Sequence, residues 1–140
     1  MTLRQLASLV RRRGARNENG KGPFGGVPFL LKDLGASLAG APEAMGCRAL
    51  RTHVATESAW IVQRYLDGGL VVFGKTNTPE FGLPSYTEPL ANAPARTPYD
   101  TARGAGGSSG GAAVAVAATK PVRTKARILM GQPCLLRKSW

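Results

Sequence analysis

The segment Gly104-Ala105-Gly106-Gly107-Ser108-Ser109-Gly110-Gly111 runs without a break into Ala112-Ala113-Val114-Ala115-Val116-Ala117-Ala118. This junction constrains the fold more than any other part of the chain. A glycine-rich turn that opens a helix presents backbone N–H groups at the positive end of the helix dipole. Glycine also admits backbone angles closed to other residues, so a hydroxyl in such a turn can be held in an unusual orientation. A flexible linker has similar composition, but a linker would not lead straight into an alanine-rich helix. The expected helix spans 110–118, and its small side chains predict close packing against other backbone.

The remaining elements follow from periodicity. Leu3, Leu6, Leu9 and Val10 recur at helical spacing, so residues 2–13 read as a short amphipathic helix, and Asn17–Gly22 reads as a turn. Val27–Lys32 is an apolar run that ends in a charge, as a buried strand would. Thr56, Glu57 and Ser58 open another helix with Ala59, Ile61, Val62, Tyr65 and Leu66 as its inner face. Gly68-Gly69 is its expected C-terminal cap, and Leu70–Phe73 is the next buried strand. Helix, glycine pair and strand in this order predict an α/β layer. Residues 76–103 carry Pro79, Pro84, Pro89, Pro94 and Pro98 with few periodic apolar positions, and read as one long irregular connection.

Charge narrows the functional classes. The net charge of +11 over 140 residues resembles a nucleic-acid or membrane signal, but it sits at the two ends. Lys120, Arg123, Lys125, Arg127, Arg137 and Lys138 give the tail +6 with no acid, while residues 1–119 carry 13 basic and 8 acidic groups. Arg11, Arg12, Arg13 and Arg16 account for most of the remaining excess and read as a solvated helix end, since no aromatics are interleaved. No nucleic acid and no membrane is therefore expected as a partner, and no apolar run approaches the length of a span. Cys47 and Cys134 make no metal spacing, His53 is the single histidine, and no metal or other cofactor is expected. Cys47 reads as a small buried apolar residue, and the expected setting is the reducing cytoplasm.

Two further segments are candidates for chemistry. Gly26-Val27-Pro28-Phe29-Leu30-Leu31-Lys32-Asp33 ends in a lysine partly withdrawn from water, which lowers an ammonium pKa and suits a general base. Taken alone, Lys32 reads more readily as a strand-end surface charge. Gly74-Lys75-Thr76-Asn77-Thr78-Pro79-Glu80-Phe81-Gly82 reads alone as a polar turn closing the second strand. Gly69–Thr76 matches the phosphate-binding pattern G-x-x-x-x-G-K-T letter for letter, yet a helix precedes its first glycine and Pro79 follows its lysine and threonine. A phosphate loop needs the opposite order, strand before and helix after.

In their order along the chain, Gly22–Asp33, Gly74–Gly82 and Tyr99–Ala118 resemble three motifs of the amidase-signature family, and the resemblance covers roughly residues 22–119. It implies an α/β fold, a mixed β-sheet covered by helices, and hydrolysis or transfer at small-molecule carboxamides. Members use a serine, a bridging serine named for its cis peptide, and a lysine. Lys32 matches the lysine and Ser108 the bridging serine. Gly106 and Gly107 precede it, and Ser109 matches a supporting residue that hydrogen-bonds to the site. The family's attacking serine lies about two dozen residues beyond the bridging one, in a glycine-rich turn. The corresponding stretch here is Ile128-Leu129-Met130-Gly131-Gln132-Pro133-Cys134, and no serine occurs between Ser109 and Ser139.

The expectation is thus a partial amidase-signature domain over 1–119, truncated relative to the family and inactive by itself. Residues 120–140 would be an atypical basic tail read out of frame. A non-catalytic binding or assembly fragment and a small basic nucleic-acid-binding protein are the alternatives. Oligomeric state is left open. Loss of sheet neighbours would expose Leu70–Phe73 and the alanine helix, which predicts poor solubility.

Overall fold

The computed structural model describes residues 22–118. The helix expected over 2–13, most of the Asn17–Gly22 turn, the arginine cluster and the tail from 120 onward lie outside the described residues. Among the described residues, four strands and two α-helices follow in the order β1 (Pro28–Lys32), α1 (Trp60–Asp67), β2 (Val71–Thr76), β3 (Arg96–Thr97), β4 (Asp100–Gly104) and α2 (Gly110–Ala118). Helices and small sheets together make an α/β fold. Among the described residues the strands form two separate pairs, β1 with β2 in parallel and β3 with β4 antiparallel.

The parallel pair carries the core. A parallel partner cannot be reached by a tight turn, so the chain crosses over between β1 and β2, and α1 lies within that crossover. Leu31 on β1 and Val71 on β2 are almost fully buried, as are Leu70 and Val62. Tyr65 of α1 meets Phe29 of β1 with ring centroids 5.0 Å apart and planes tilted by 57°, a packing that ties helix to strand. The inner face of α1 is narrower than the periodicity predicts. Val62 is its one buried side chain, Tyr65 and Leu66 are half-buried, and Ile61 is exposed. A two-stranded sheet is too narrow to cover a whole helical face.

The expected cap forms. Gly68 remains right-handed, and Gly69 takes φ +89°, which a residue with a Cβ adopts at a cost. Gly69 N–H donates to the Leu66 carbonyl at 2.8 Å and Leu70 N–H to the Tyr65 carbonyl at 3.0 Å. These two bonds satisfy the last helical carbonyls in a Schellman arrangement and send the chain into β2.

β2 is longer than the sequence predicts. It continues past Phe73 through Gly74, Lys75 and Thr76, which pair with Leu30, Leu31 and Lys32 after an irregularity at Phe29/Leu30. The expectation of a polar turn from Gly74 is corrected for these three residues, because backbone pairing with β1 outweighs the low strand propensity of glycine and lysine. Their strand conformation also leaves the phosphate-loop pattern without the helix it requires. In the proline-rich connection, β3 and β4 form a short antiparallel ribbon that no apolar alternation announces; all of β4 is solvent-exposed. α2 spans the residues its composition predicts and packs against β1, β2 and β3.

Candidate active site

Period-two alternation along β1 puts Lys32 on the side opposite Leu31. The loop 105–109 and the start of α2 reach that side. Lys32 Nζ and Ser108 Oγ are 2.7 Å apart and hydrogen-bonded, joining residues 76 positions apart in the chain. The Gly107–Ser108 peptide bond is cis. Desolvation by burial lowers the Lys32 pKa from the ordinary lysine value. No carboxylate forms an ion pair with Lys32 among the described residues. A lysine with a hydroxyl partner and no counter-ion is suited to give up its proton and then accept one.

The neighbouring carboxylate is engaged elsewhere. Asp33 pairs with Lys75 of β2 at 3.2 Å, and both side chains are largely withdrawn from solvent. The register places Lys75 opposite Leu31, so this pair occupies the other side of the strand pair from Lys32. A cavity of about 550 Å3 is lined in part by Asp33, Lys75, Asn77 and Asn92; neither Lys32 nor Ser108 lines it.

The glycine-rich loop is held by hydroxyls that sequence reasoning did not single out. Thr87, almost fully buried, donates from Oγ1 to the Gly106 carbonyl at 2.8 Å and accepts at the same atom from Gly110 N–H at 3.2 Å. Thr78, fully buried, donates from Oγ1 to the Ser108 carbonyl at 3.2 Å. Both threonines lie in the proline-rich connection, where no periodicity marks a residue as inward-facing. The available signals were the length of that connection, which is uncommon without a task, and, for Thr78, its place in the Gly74–Gly82 segment.

Gly106 and Gly107 lead into Ser108, and Gly106 has φ +74°. Ser109 is exposed and accepts the Ala113 N–H at its carbonyl at 3.0 Å, in the first turn of α2. The hydroxyls of Thr78 and Thr87 bond the loop beside the Ala105 N–H, which donates to the Ala95 carbonyl at 2.9 Å. Cys47 is a buried free thiol, as its composition suggested, and His53 is exposed. Cys134 and the 128–134 stretch lie outside the described residues. Among the described residues no group of three or more metal-ligating side chains assembles, and no helix is long and apolar enough to cross a membrane.

Comparison with known proteins shows a family. The pattern that defines the family described as Amidase matches residues 2–121. A glutamyl-tRNA(Gln) amidotransferase subunit from Deinococcus deserti is 42% identical over 125 residues, covering 84% of this chain and 26% of that protein. The solved structure of 6-aminohexanoate cyclic dimer hydrolase complexed with substrate superposes with a TM-score of 0.71 at 38% identity, over 81% of this chain and 24% of that one. The corresponding amidotransferase subunit from Thermotoga maritima superposes with a TM-score of 0.65 at 40% identity, over 69% of this chain and 21% of that one. The chain spans about a quarter of the length of such relatives.

Proposed function

The chain belongs to the amidase family, and from that premise we propose that Lys32 and Ser108 are two members of a proton relay for chemistry at carboxamide bonds. The observation that carries the reading is the 2.7 Å hydrogen bond between Lys32 Nζ and Ser108 Oγ. In this relay neutral Lys32 takes the proton of Ser108, and Ser108 takes one from an attacking hydroxyl. The attacking oxygen adds to the amide carbon, the C–N bond breaks, and the proton returns through the relay to the leaving amine. Water then cleaves the acyl intermediate by the same route. The substrate is a small-molecule amide. Partial desolvation of Lys32 supports its part as base, because it favours the neutral amine.

The attacking serine has no counterpart at 128–134, so on this reading the chain does not turn over amides by itself. Residues from about 120 onward are then an out-of-frame tail: the adjacent frames of the gene should encode a glycine-rich segment with a serine, and their failure to do so would remove this point. A non-catalytic assembly role is the second reading. It is favoured by similarity to a protein that is one subunit of an amidotransferase, and by exposed Trp60, Leu83 and Leu90.

A fluorophosphonate probe separates the two halves of the proposal. The chain alone should remain unlabelled, because neither Ser108 nor Ser109 is the nucleophile. A fusion of residues 1–118 to the part of the Deinococcus deserti protein that follows the matched region should be labelled and should hydrolyse small amides. Lys32→Ala in that fusion should lower turnover by about a thousandfold or more, as loss of a member of a catalytic triad does. Full turnover by the Lys32→Ala fusion would overturn the relay.

A further inference from the structure

We propose that the hydroxyls of Thr87 and Thr78 are positioning groups that hold Ser108 at Lys32, an inference that rests on the proton-relay reading. Ser108 sits in a loop whose glycines cannot fix their own geometry through side-chain packing. Its orientation must therefore come from neighbours. Thr87 Oγ1 spans the loop on both sides of Ser108, donating to the Gly106 carbonyl at 2.8 Å and accepting from Gly110 N–H at 3.2 Å. A hydroxyl can do both because it has one proton and two lone pairs, and one atom thereby fixes the distance between the residues two before and two after the serine. Thr78 adds a third anchor on the serine's own carbonyl at 3.2 Å.

Three further facts distinguish this from incidental packing. Both threonines are almost fully buried, so their hydroxyls have no water to exchange with, and a methyl in their place would leave the loop's polar groups unsatisfied. The loop is closely fitted to Thr87: a Cβ on Gly110 would collide with the Thr87 side chain, and one on Gly107 would approach Thr87 Oγ1 to 3.1 Å. The two hydroxyls also come from one segment, residues 78–87, which crosses beside the loop. Movement of that segment would shift all three anchors together.

The test reads the Lys32 ammonium rather than turnover. The purified chain, labelled with 13C and 15N, is titrated by NMR as parent, Thr87→Ser, Thr87→Val and Thr78→Val. In the parent and in Thr87→Ser, which keeps the hydroxyl, Lys32 should titrate below the ordinary lysine range. In both valine variants its titration should move up toward that range, as Ser108 swings away and water reaches Nζ. Gly110 N–H exchange should quicken by about tenfold in Thr87→Val, the expected loss of one buried hydrogen bond, and remain at the parent rate in Thr87→Ser. If Thr87→Val fails to fold, Thr78→Val carries the same titration with the Gly110 contact intact. Folded valine variants whose Lys32 titrates as in the parent would overturn the positioning role and leave the relay standing. A parent Lys32 that titrates like any exposed lysine would instead remove the relay, and this inference with it.

Discussion

Lys32 shows how a single side chain can be legible in one respect and not in another. Its place at the end of an apolar run is plain in the sequence, and so is the reason burial would loosen its proton. Its partner is not. Ser108 lies 76 residues away, and neither residue points to the other except through the order of motifs shared with the family. Thr78 fell inside a motif-like segment but its role did not show, and Thr87 was not legible at all, because a threonine in a proline-rich stretch looks the same whether its hydroxyl meets water or a buried carbonyl. The lowered pKa of Lys32 has a consequence for stability. Between the folded and unfolded pKa values the unfolded chain binds more protons, so stability should rise with pH across that window. Lys32→Met should flatten that rise, visible as urea midpoints that change less between neutral and alkaline pH than the parent's.

The elements whose ends are set by local chemistry were readable, and those set by pairing were not. Gly68-Gly69 closes α1 as its residue types dictate. β2 extends three residues beyond its apolar run because β1 lies alongside. The β3–β4 ribbon was invisible, since its strands are short and mostly solvent-exposed. Gly69→Ala should cost about 2–4 kcal/mol. It combines a left-handed backbone with a Cβ that would come within 2.8 Å of Gly25 Cα. Chemical denaturation of the variant checks this. The Asp33–Lys75 pair should behave asymmetrically. Lys75→Met leaves a largely buried carboxylate without its partner and should cost about 1–3 kcal/mol, discounted for residual exposure. The double replacement Asp33→Leu with Lys75→Met should recover part of that loss, and a double-mutant cycle measures it.

For the whole molecule, the expectation of poor solubility rests only in part on the residues first named, of which Val116 in the alanine helix is 43% exposed. Leu70 and Val71 are buried rather than exposed. The open apolar surface lies instead on Leu83, Leu90 and Tyr99, each more than three-quarters exposed, and on Trp60 at 71%. Large apolar side chains displayed in this number drive association. The purified chain should therefore self-associate as its concentration rises, and light scattering across a dilution series should show the apparent mass falling. A mass that stays at one chain throughout would contradict this. Replacing Leu83 and Leu90 with serine should reduce the association while leaving the Lys32–Ser108 contact untouched.

The long span of that contact also has a meaning in time. On a ribosome the lysine is synthesised well before the hydroxyl it will meet, and in the interval it is a fully hydrated cation like any other. It meets that hydroxyl only when the glycine turn arrives and the crossover between the parallel strands has closed. A nascent chain stalled before residue 104 would therefore hold a lysine with no hydroxyl to meet, and the pair exists only once tertiary structure does.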